Sequence, residues 1–251
     1  MRAFSKSRKA TGLVALAAAA SLALAGCAAA EPTAEPSETS TIAQGDGVLK
    51  IGAIVPFTGG LAFLSPPEIA GIDLAVADIN AAGGVLGKPV EVTYEDSGDT
   101  TTPELAPASA TKLLSEGVDA IIGAASSSVT RLIIDQITGA KVVQVSMANT
   151  APDLSTWDDG GYYFRTAPSD ILQGAILGNQ VVADGNENVA IIYQQSSYGE
   201  GLEAKTKEII EGAGATVVGS FPFPEAETNF DTVVDNALAA GPDSIVLISY
   251  D

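Results

Sequence analysis

Short apolar runs alternate with amphipathic helical patterns from Val48 onward, and this alternation constrains the fold more than any other feature of the chain. Strands that alternate with helices predict βαβ units and a parallel sheet. The runs AIIGA (120–124) and SIVLI (244–248) are apolar throughout, which predicts strands that are buried on both faces. The sequence therefore predicts an α/β fold with doubly wound parallel sheets.

Two serines precede helical patterns and are predicted to cap them. Ser65 and Glu68 have the spacing of a capping box, with two prolines between them; in that motif each side chain bonds a free backbone N–H at the helix start. Ser169 precedes a pattern that ends near Gly185, and serine is a preferred residue at such a position. We therefore expect Ser65 and Ser169 to be N-caps.

Polar side chains follow the strands at their carboxyl ends. Three serines (126–128) follow one strand, and Thr150 follows the next. Crossovers in parallel sheets bring these ends to one edge, where ligands bind. From the residues alone, the serines either only cap a helix or also hold an anion. Ser127 and Thr150 together would form a polar pocket for a small zwitterion. Tyr198, after a later strand, either packs on its helix or faces a ligand.

The N-terminus has the three parts of a secretory signal, namely basic residues, an apolar run and small residues before a cleavage point. The segment LAGC resembles a bacterial lipoprotein signal, which predicts removal of residues 1–26 and lipidation of Cys27. The alternative is ordinary secretion with Cys27 incidental. Residues 27–47 contain almost no bulky side chains, which predicts a disordered tether. The protein is thus expected to be exported and lipid-anchored to the outer face of the cytoplasmic membrane.

Charge and composition exclude several classes of function. Cleavage of the signal removes four basic residues and no acid, which changes the net charge from −19 to −23. Such a charge argues against nucleic acid or anionic lipid as a partner. The chain has no histidine and one cysteine, which excludes serine–histidine triads, histidine-rich zinc sites and cysteine-held clusters. A hydrolase that uses two distant carboxylates stays open, but nothing in the sequence favours one, and no catalytic residue, metal or cofactor is expected.

Six segments, in order, resemble the branched-chain amino-acid binding proteins of ABC importers, which have the type I periplasmic-binding-protein fold. The resemblance runs from about Val48 to Asp251. The segments that carry it are GVLKIGAIVPFTGGLA, GIDLAVADINAAGGVLGKPVEV, GVDAIIGAASSS, ANTAPDLS, YYFRTAPSD and SYGEGL.

The resemblance implies a two-lobed protein that binds its ligand between the lobes. It implies that Ser127 holds the ligand carboxylate and that Ala148 and Thr150 hold the carboxylate and the ammonium. Tyr198 and Tyr250 would face the ligand from the second lobe. Leu64 would touch the ligand side chain at a position where an aromatic residue is common.

The implied domains are a first lobe at 48–166 and a second lobe at 167–251, both incomplete. The resemblance also implies that an acid pairing with the ammonium lies beyond Asp251, so that the C-terminal part of the fold is missing. The expected function is the solute-binding subunit of an ABC importer for amino acids or similar small solutes, with the permease subunits as partners. A sensory domain for amides or urea on the same fold is the alternative.

Overall fold

The alternating pattern is present as eight strands and six α-helices within residues 45–250, the part of the chain that the computed structural model describes. The strands are β1 Lys50–Val55, β2 Glu91–Asp96, β3 Ala120–Gly123, β4 Val143–Ser146, β5 Tyr163–Arg165, β6 Asn188–Gln194, β7 Thr216–Phe223 and β8 Ser244–Ile248. The helices are α1 Ser65–Ala81, α2 Leu105–Ser115, α3 Ser127–Gly139, α4 Asp170–Ala183, α5 Ser197–Gly212 and α6 Asp231–Ala239.

The strands form two parallel sheets. The first sheet has the order β2-β1-β3-β4-β5, and the second has the order β7-β6-β8. We call the first sheet with α1–α3 the N-terminal region, and the second sheet with α4–α6 the C-terminal region. The predicted α/β fold with parallel sheets is therefore confirmed.

The core lies on both faces of each sheet, because successive residues of a strand point to opposite sides. In β1, Ile54 packs against the side covered by α2 and α3, whereas Ala53 and Val55 pack against the side of α1. In β6, Ile191 joins the cluster of α4 and α5, and Ile192 joins that of α6. The buried strands thus hold their tips in fixed positions along one edge of each sheet.

The outermost strand of the second sheet departs from the prediction. Ile245 and Leu247 of β8 are 42% and 65% exposed, whereas Val246 and Ile248 are buried. The apolar run predicts a strand that is buried on both faces, and this prediction is wrong for β8. Strand β8 lies at the edge of its sheet, and α6 covers the face of Ile245 and Leu247 only in part, since Val233 and Val234 of α6 line a cavity together with these two residues.

The two predicted N-caps have different outcomes. Ser169 caps α4, because its hydroxyl accepts from the N–H of Ile171. Ser65 is not a cap, since a short 3₁₀ helix, Ala62–Leu64, runs directly into α1 and the N–H of Ser65 already bonds to Ala62. One oxygen of Glu68 is buried without a hydrogen-bond partner, and burial raises the pKa of this carboxyl to about 7.

All of residues 45–250 belong to one compact unit. The boundary between two lobes at residue 166 stays a prediction. The signal at 1–26, Cys27 and most of the tether at 27–47 lie outside the described residues. Within the described residues, no helix combines the length and the apolar character needed to cross a membrane.

Candidate ligand-binding site

The three consecutive serines at the end of β3 have three different roles. Ser126 caps α3, because its hydroxyl accepts from the N–H of Val129. Ser127 is almost fully buried, and its hydroxyl oxygen accepts from the N–H groups of Thr150 and Ala151, at 3.3 Å each. Ser128 instead contacts the C-terminal region. Capping alone therefore does not account for this segment.

The tips of β3 and β4 lie side by side because these strands pair in the sheet. The hydroxyl of Ser146 donates to the carbonyl of Ala124 at 2.8 Å, and it accepts from the N–H of Asn149 at 3.0 Å. The buried amide of Asn149 donates to the carbonyl of Ala125 at 2.7 Å. These bonds fix the loop after β4 against the loop after β3, which brings Thr150 to Ser127 as the sequence predicts.

Two tyrosines face this edge from the C-terminal region. Tyr198 lies in the first turn of α5, directly after β6, and Tyr250 follows β8. Their rings are stacked, with centroids 5.1 Å apart and planes 16° apart. Burial raises the pKa of Tyr250 to about 12, and it also raises the pKa of Tyr198. Both rings are thus neutral aromatic walls at physiological pH.

A cavity of about 230 Å³ lies between these groups. All six residues predicted to bind the ligand line it. The complete lining is Leu61, Leu64, Ala125, Ser127, Ala148, Thr150, Gln173, Tyr198 and Tyr250. The structure therefore brings the predicted set together in one place, while their binding role stays a prediction.

The predicted set of site residues does not include an acid that lies next to this cavity. Asp170, the first residue of α4, is fully buried, and neither of its carboxylate oxygens has a hydrogen bond. Its N–H donates to the carbonyl of Thr150 at 2.8 Å. Burial raises the pKa of Asp170 to about 6; the Thr150 hydroxyl, which lies near the carboxylate without forming a hydrogen bond of standard geometry, and the charge of Arg165 oppose the rise. The charge of Asp170 also contributes to the raised pKa of Tyr198.

A signal for this acid is present in the sequence. Asp170 and Gln173 are three residues apart in the first turns of a helix that Ser169 caps, and this spacing places them on one face. Gln173 lines the cavity. Acids in a first helical turn are usually exposed and favoured by the helix dipole, so the burial of Asp170 depends on contacts that local patterns do not reveal.

No group of three or more acidic or cysteine side chains among the described residues is arranged to hold a metal ion. The site consists of hydroxyls, backbone amides, one buried acid and an apolar wall. Such a set can bind a small polar solute, but it contains no nucleophile paired with a base.

Comparison with known proteins identifies the family. A family profile described as periplasmic binding protein matches residues 48–251. The chain belongs to this family. Periplasmic binding proteins are extracytoplasmic solute-binding proteins rather than enzymes. The resemblance to the leucine, isoleucine and valine binders is thereby confirmed.

Individual members of the family are similar over most of this chain. The leucine-, isoleucine-, valine-, threonine- and alanine-binding protein of Pseudomonas aeruginosa is 29% identical, over 80% of this chain and 54% of its own length. The branched-chain amino acid transporter substrate binding protein of Streptococcus pneumoniae, solved with isoleucine, is 29% identical with a TM-score of 0.72, over 81% of this chain and 57% of that one.

A solute binding protein of an ABC transporter from Rhodopseudomonas palustris BisB5 was solved with 3,4-dihydroxybenzoic acid. It is 25% identical with a TM-score of 0.71, over 80% of this chain and 54% of that one. The ligands of these two solved relatives thus differ: isoleucine has an ammonium group, whereas 3,4-dihydroxybenzoic acid has none. The chain spans about half the length of the curated relatives that it matches.

Proposed function

We propose that this periplasmic binding protein is the solute-binding subunit of an ABC importer and that its ligand is an amino acid with an apolar side chain. One observation carries the proposal. Hydroxyls from the N-terminal region and stacked tyrosines from the C-terminal region line the same cavity. The relative from Streptococcus pneumoniae was solved with isoleucine, and the name of the relative from Pseudomonas aeruginosa gives four apolar amino acids besides threonine, which supports the choice.

The ligand carboxylate is assigned to Ser127. Its oxygen already accepts two backbone N–H groups, so its own hydrogen is available to donate to an anion. Ser127 is also the first residue of α3, and the start of a helix carries partial positive charge and free N–H groups. Both features favour a carboxylate at this point of the cavity.

The ligand ammonium is assigned to Thr150, which lines the cavity, and to the charge of Asp170, which is not a lining residue but lies directly behind Thr150. A buried carboxylate without hydrogen bonds is costly, and a nearby cation removes most of that cost. An ammonium group would supply the cation. A neutral amide, urea or an aromatic acid would leave Asp170 unpaired, so the cavity favours an amino acid over those solutes.

The ligand side chain is assigned to the apolar part of the cavity. Leu61, Leu64 and Ala125 form this part. The volume of about 230 Å³ is below the 300–1,000 Å³ that is common for sites of drug-sized ligands. A short aliphatic side chain such as that of leucine or isoleucine suits such a space.

The partners follow from the same proposal. An importer's binding protein delivers its solute to permease subunits, and the predicted lipid on Cys27 would keep it at the membrane that contains them. Cys27→Ser is expected to release the protein from the membrane fraction without changing ligand affinity.

A thermal unfolding screen tests the ligand class. Leucine, isoleucine, 3,4-dihydroxybenzoate, acetamide and urea are added separately, and the free energy of unfolding is measured. We expect leucine or isoleucine, at a hundredfold excess over its Kd, to raise that free energy by about 2.7 kcal/mol. Stabilisation by the benzoate, the amide or urea without any effect of the amino acids would contradict the proposed ligand class.

A further inference from the structure

The third serine, Ser128, forms a direct link between the two regions. Its hydroxyl oxygen accepts from the N–H of Ser197 at 2.9 Å, and the hydroxyl donates to the hydroxyl oxygen of Ser197 at 3.1 Å. These residues are 69 positions apart in the sequence. Ser128 lies in the first turn of α3, and Ser197 is the first residue of α5. The starts of the two helices therefore meet at this contact.

The contact completes the cap of α5. The first N–H groups of a helix have no partner within the helix. The hydroxyl of Ser196 accepts from the N–H of Gly199 at 3.0 Å, as an ordinary N-cap does. The N–H of Ser197 has its partner in the other region. If the regions moved apart, this N–H would lose Ser128 as its acceptor.

Helix α5 approaches the N-terminal region closely at Gly201. A Cβ atom added to Gly201 would lie 2.5 Å from Cδ of Pro152, which is closer than side-chain carbons pack. Pro152 lies in a 3₁₀ helix after β4. Tyr198, which lines the cavity, lies between Ser197 and Gly201. The cavity wall is thus part of the same turn of α5 that contacts Ser128.

Two helix starts that meet carry partial charges of the same sign and repel each other. The hydroxyl oxygen of Ser128 places a partial negative charge between them. A ligand carboxylate at Ser127 would lie at the start of α3. Its negative charge would also offset the repulsion between the two helix starts. Ligand binding and the Ser128–Ser197 contact should therefore favour each other, since each stabilises the arrangement that the other requires.

We propose that Ser128 is a positioning residue that holds α5 against α3, and that it slows the release of ligand without touching the ligand. The hydrogen bonds and the close fit at Gly201 carry the inference about the contact. The effect on ligand release rests also on the proposed function. The residue lines no part of the cavity, so its effect would pass through Ser197 and Tyr198.

Amide hydrogen exchange of the protein without added ligand tests the contact itself. In Ser128→Ala, we expect the N–H of Ser197 to exchange about two- to tenfold faster than in the wild type, which corresponds to the loss of one hydrogen bond. Ser115→Ala removes an exposed hydroxyl from the C-terminal end of α2 and serves as the control. Unchanged exchange at Ser197 in Ser128→Ala would overturn the proposal.

Ligand kinetics test the consequence. For leucine, we expect Ser128→Ala to raise the dissociation rate by a similar factor and to change the association rate less. An unchanged dissociation rate, with faster exchange at Ser197, would overturn the role in ligand release. Faster exchange in a protein that binds no amino acid would contradict the proposed function but leave the contact supported.

A pair of cysteines provides a second measurement in case Ser128→Ala folds poorly. In a Cys27→Ser background, Ser128→Cys and Ser197→Cys are combined, and mild oxidation is followed by mass spectrometry. Because the two hydroxyl oxygens are 3.1 Å apart, we expect a disulfide to form and to slow the release of leucine by tenfold or more. Failure of the pair to oxidise, while both thiols react with a maleimide in the folded protein, would overturn the contact.

Discussion

Ser127→Ala should weaken the binding of an amino acid by about tenfold to a hundredfold. The variant loses the hydroxyl that we assign to the ligand carboxylate, and a hydrogen bond to a charged group contributes about 1.5–3 kcal/mol. It also removes the acceptor that holds the N–H groups of Thr150 and Ala151, which adds to the loss. Isothermal titration calorimetry with leucine measures the change in Kd.

Ser126→Ala is the matched control for this experiment. Ser126 is adjacent in the chain and caps α3, but it does not line the cavity. We expect this variant to lose about 0.5–2 kcal/mol of stability and to keep its affinity within a few-fold. If Ser126→Ala and Ser127→Ala lose the same stability and the same affinity, the assignment of the carboxylate to Ser127 is wrong.

Asp170→Asn should have opposite effects on ligand affinity and on stability. Truncating one partner of a buried charge pair costs about 2–5 kcal/mol, so affinity for leucine should fall by about thirtyfold or more. Without ligand, the same variant should be more stable than the wild type near neutral pH, because a buried carboxylate without hydrogen bonds is replaced by a neutral amide.

The effect of pH on stability follows from the raised pKa of Asp170. This pKa is about 6, against 3.8 for the free side chain. The folded state therefore binds the proton more tightly than the unfolded state does. Between pH 4 and pH 6 the contribution of Asp170 to the free energy of unfolding falls as the pH rises, by about 3 kcal/mol in total, and above pH 6 this contribution is constant.

Urea unfolding between pH 4 and pH 8 checks this dependence. Asp170→Asn should abolish the Asp170 component of the curve of unfolding free energy against pH. The control Asp184→Asn changes an exposed acid at the other end of α4 and should leave that component in place. The same linkage predicts weaker binding of amino acids below pH 6. Asp170 becomes protonated in that range, and the ligand ammonium binds better to its ionised carboxylate. An Asp170→Asn variant with wild-type affinity for leucine would contradict the assignment of the ammonium.

Local patterns in the sequence were sufficient for most of the fold. The periodicity of apolar residues predicts the strands and helices, because a strand buried on both faces and a helix with one apolar side have different patterns. The rule that parallel strands end at one edge predicts that Ser127 and Thr150 meet. The family resemblance adds Ala148, Tyr250 and Leu64 and favours the ligand-facing role of Tyr198, and all four line the cavity.

Contacts between distant segments could not be predicted in this way. Ser65 resembles a cap, but the preceding 3₁₀ helix already satisfies its N–H. The bond from Ser128 to Ser197 depends on the packing of one region against the other, as does the burial of Asp170. Ile245 and Leu247 have the same apolar character as buried strand residues, but they lie at an edge of the sheet that α6 covers only in part, which leaves them exposed.

Calorimetric titration of the wild-type protein with three matched compounds tests the central claim that the cavity grips both charges of a zwitterion. Leucine has both charges, isocaproate lacks the ammonium, and isoamylamine lacks the carboxylate, while the aliphatic group is the same. We predict that leucine binds and that each analogue binds at least about thirtyfold more weakly, since each leaves one buried partner group unpaired. Isocaproate or isoamylamine binding as tightly as leucine would contradict the claim.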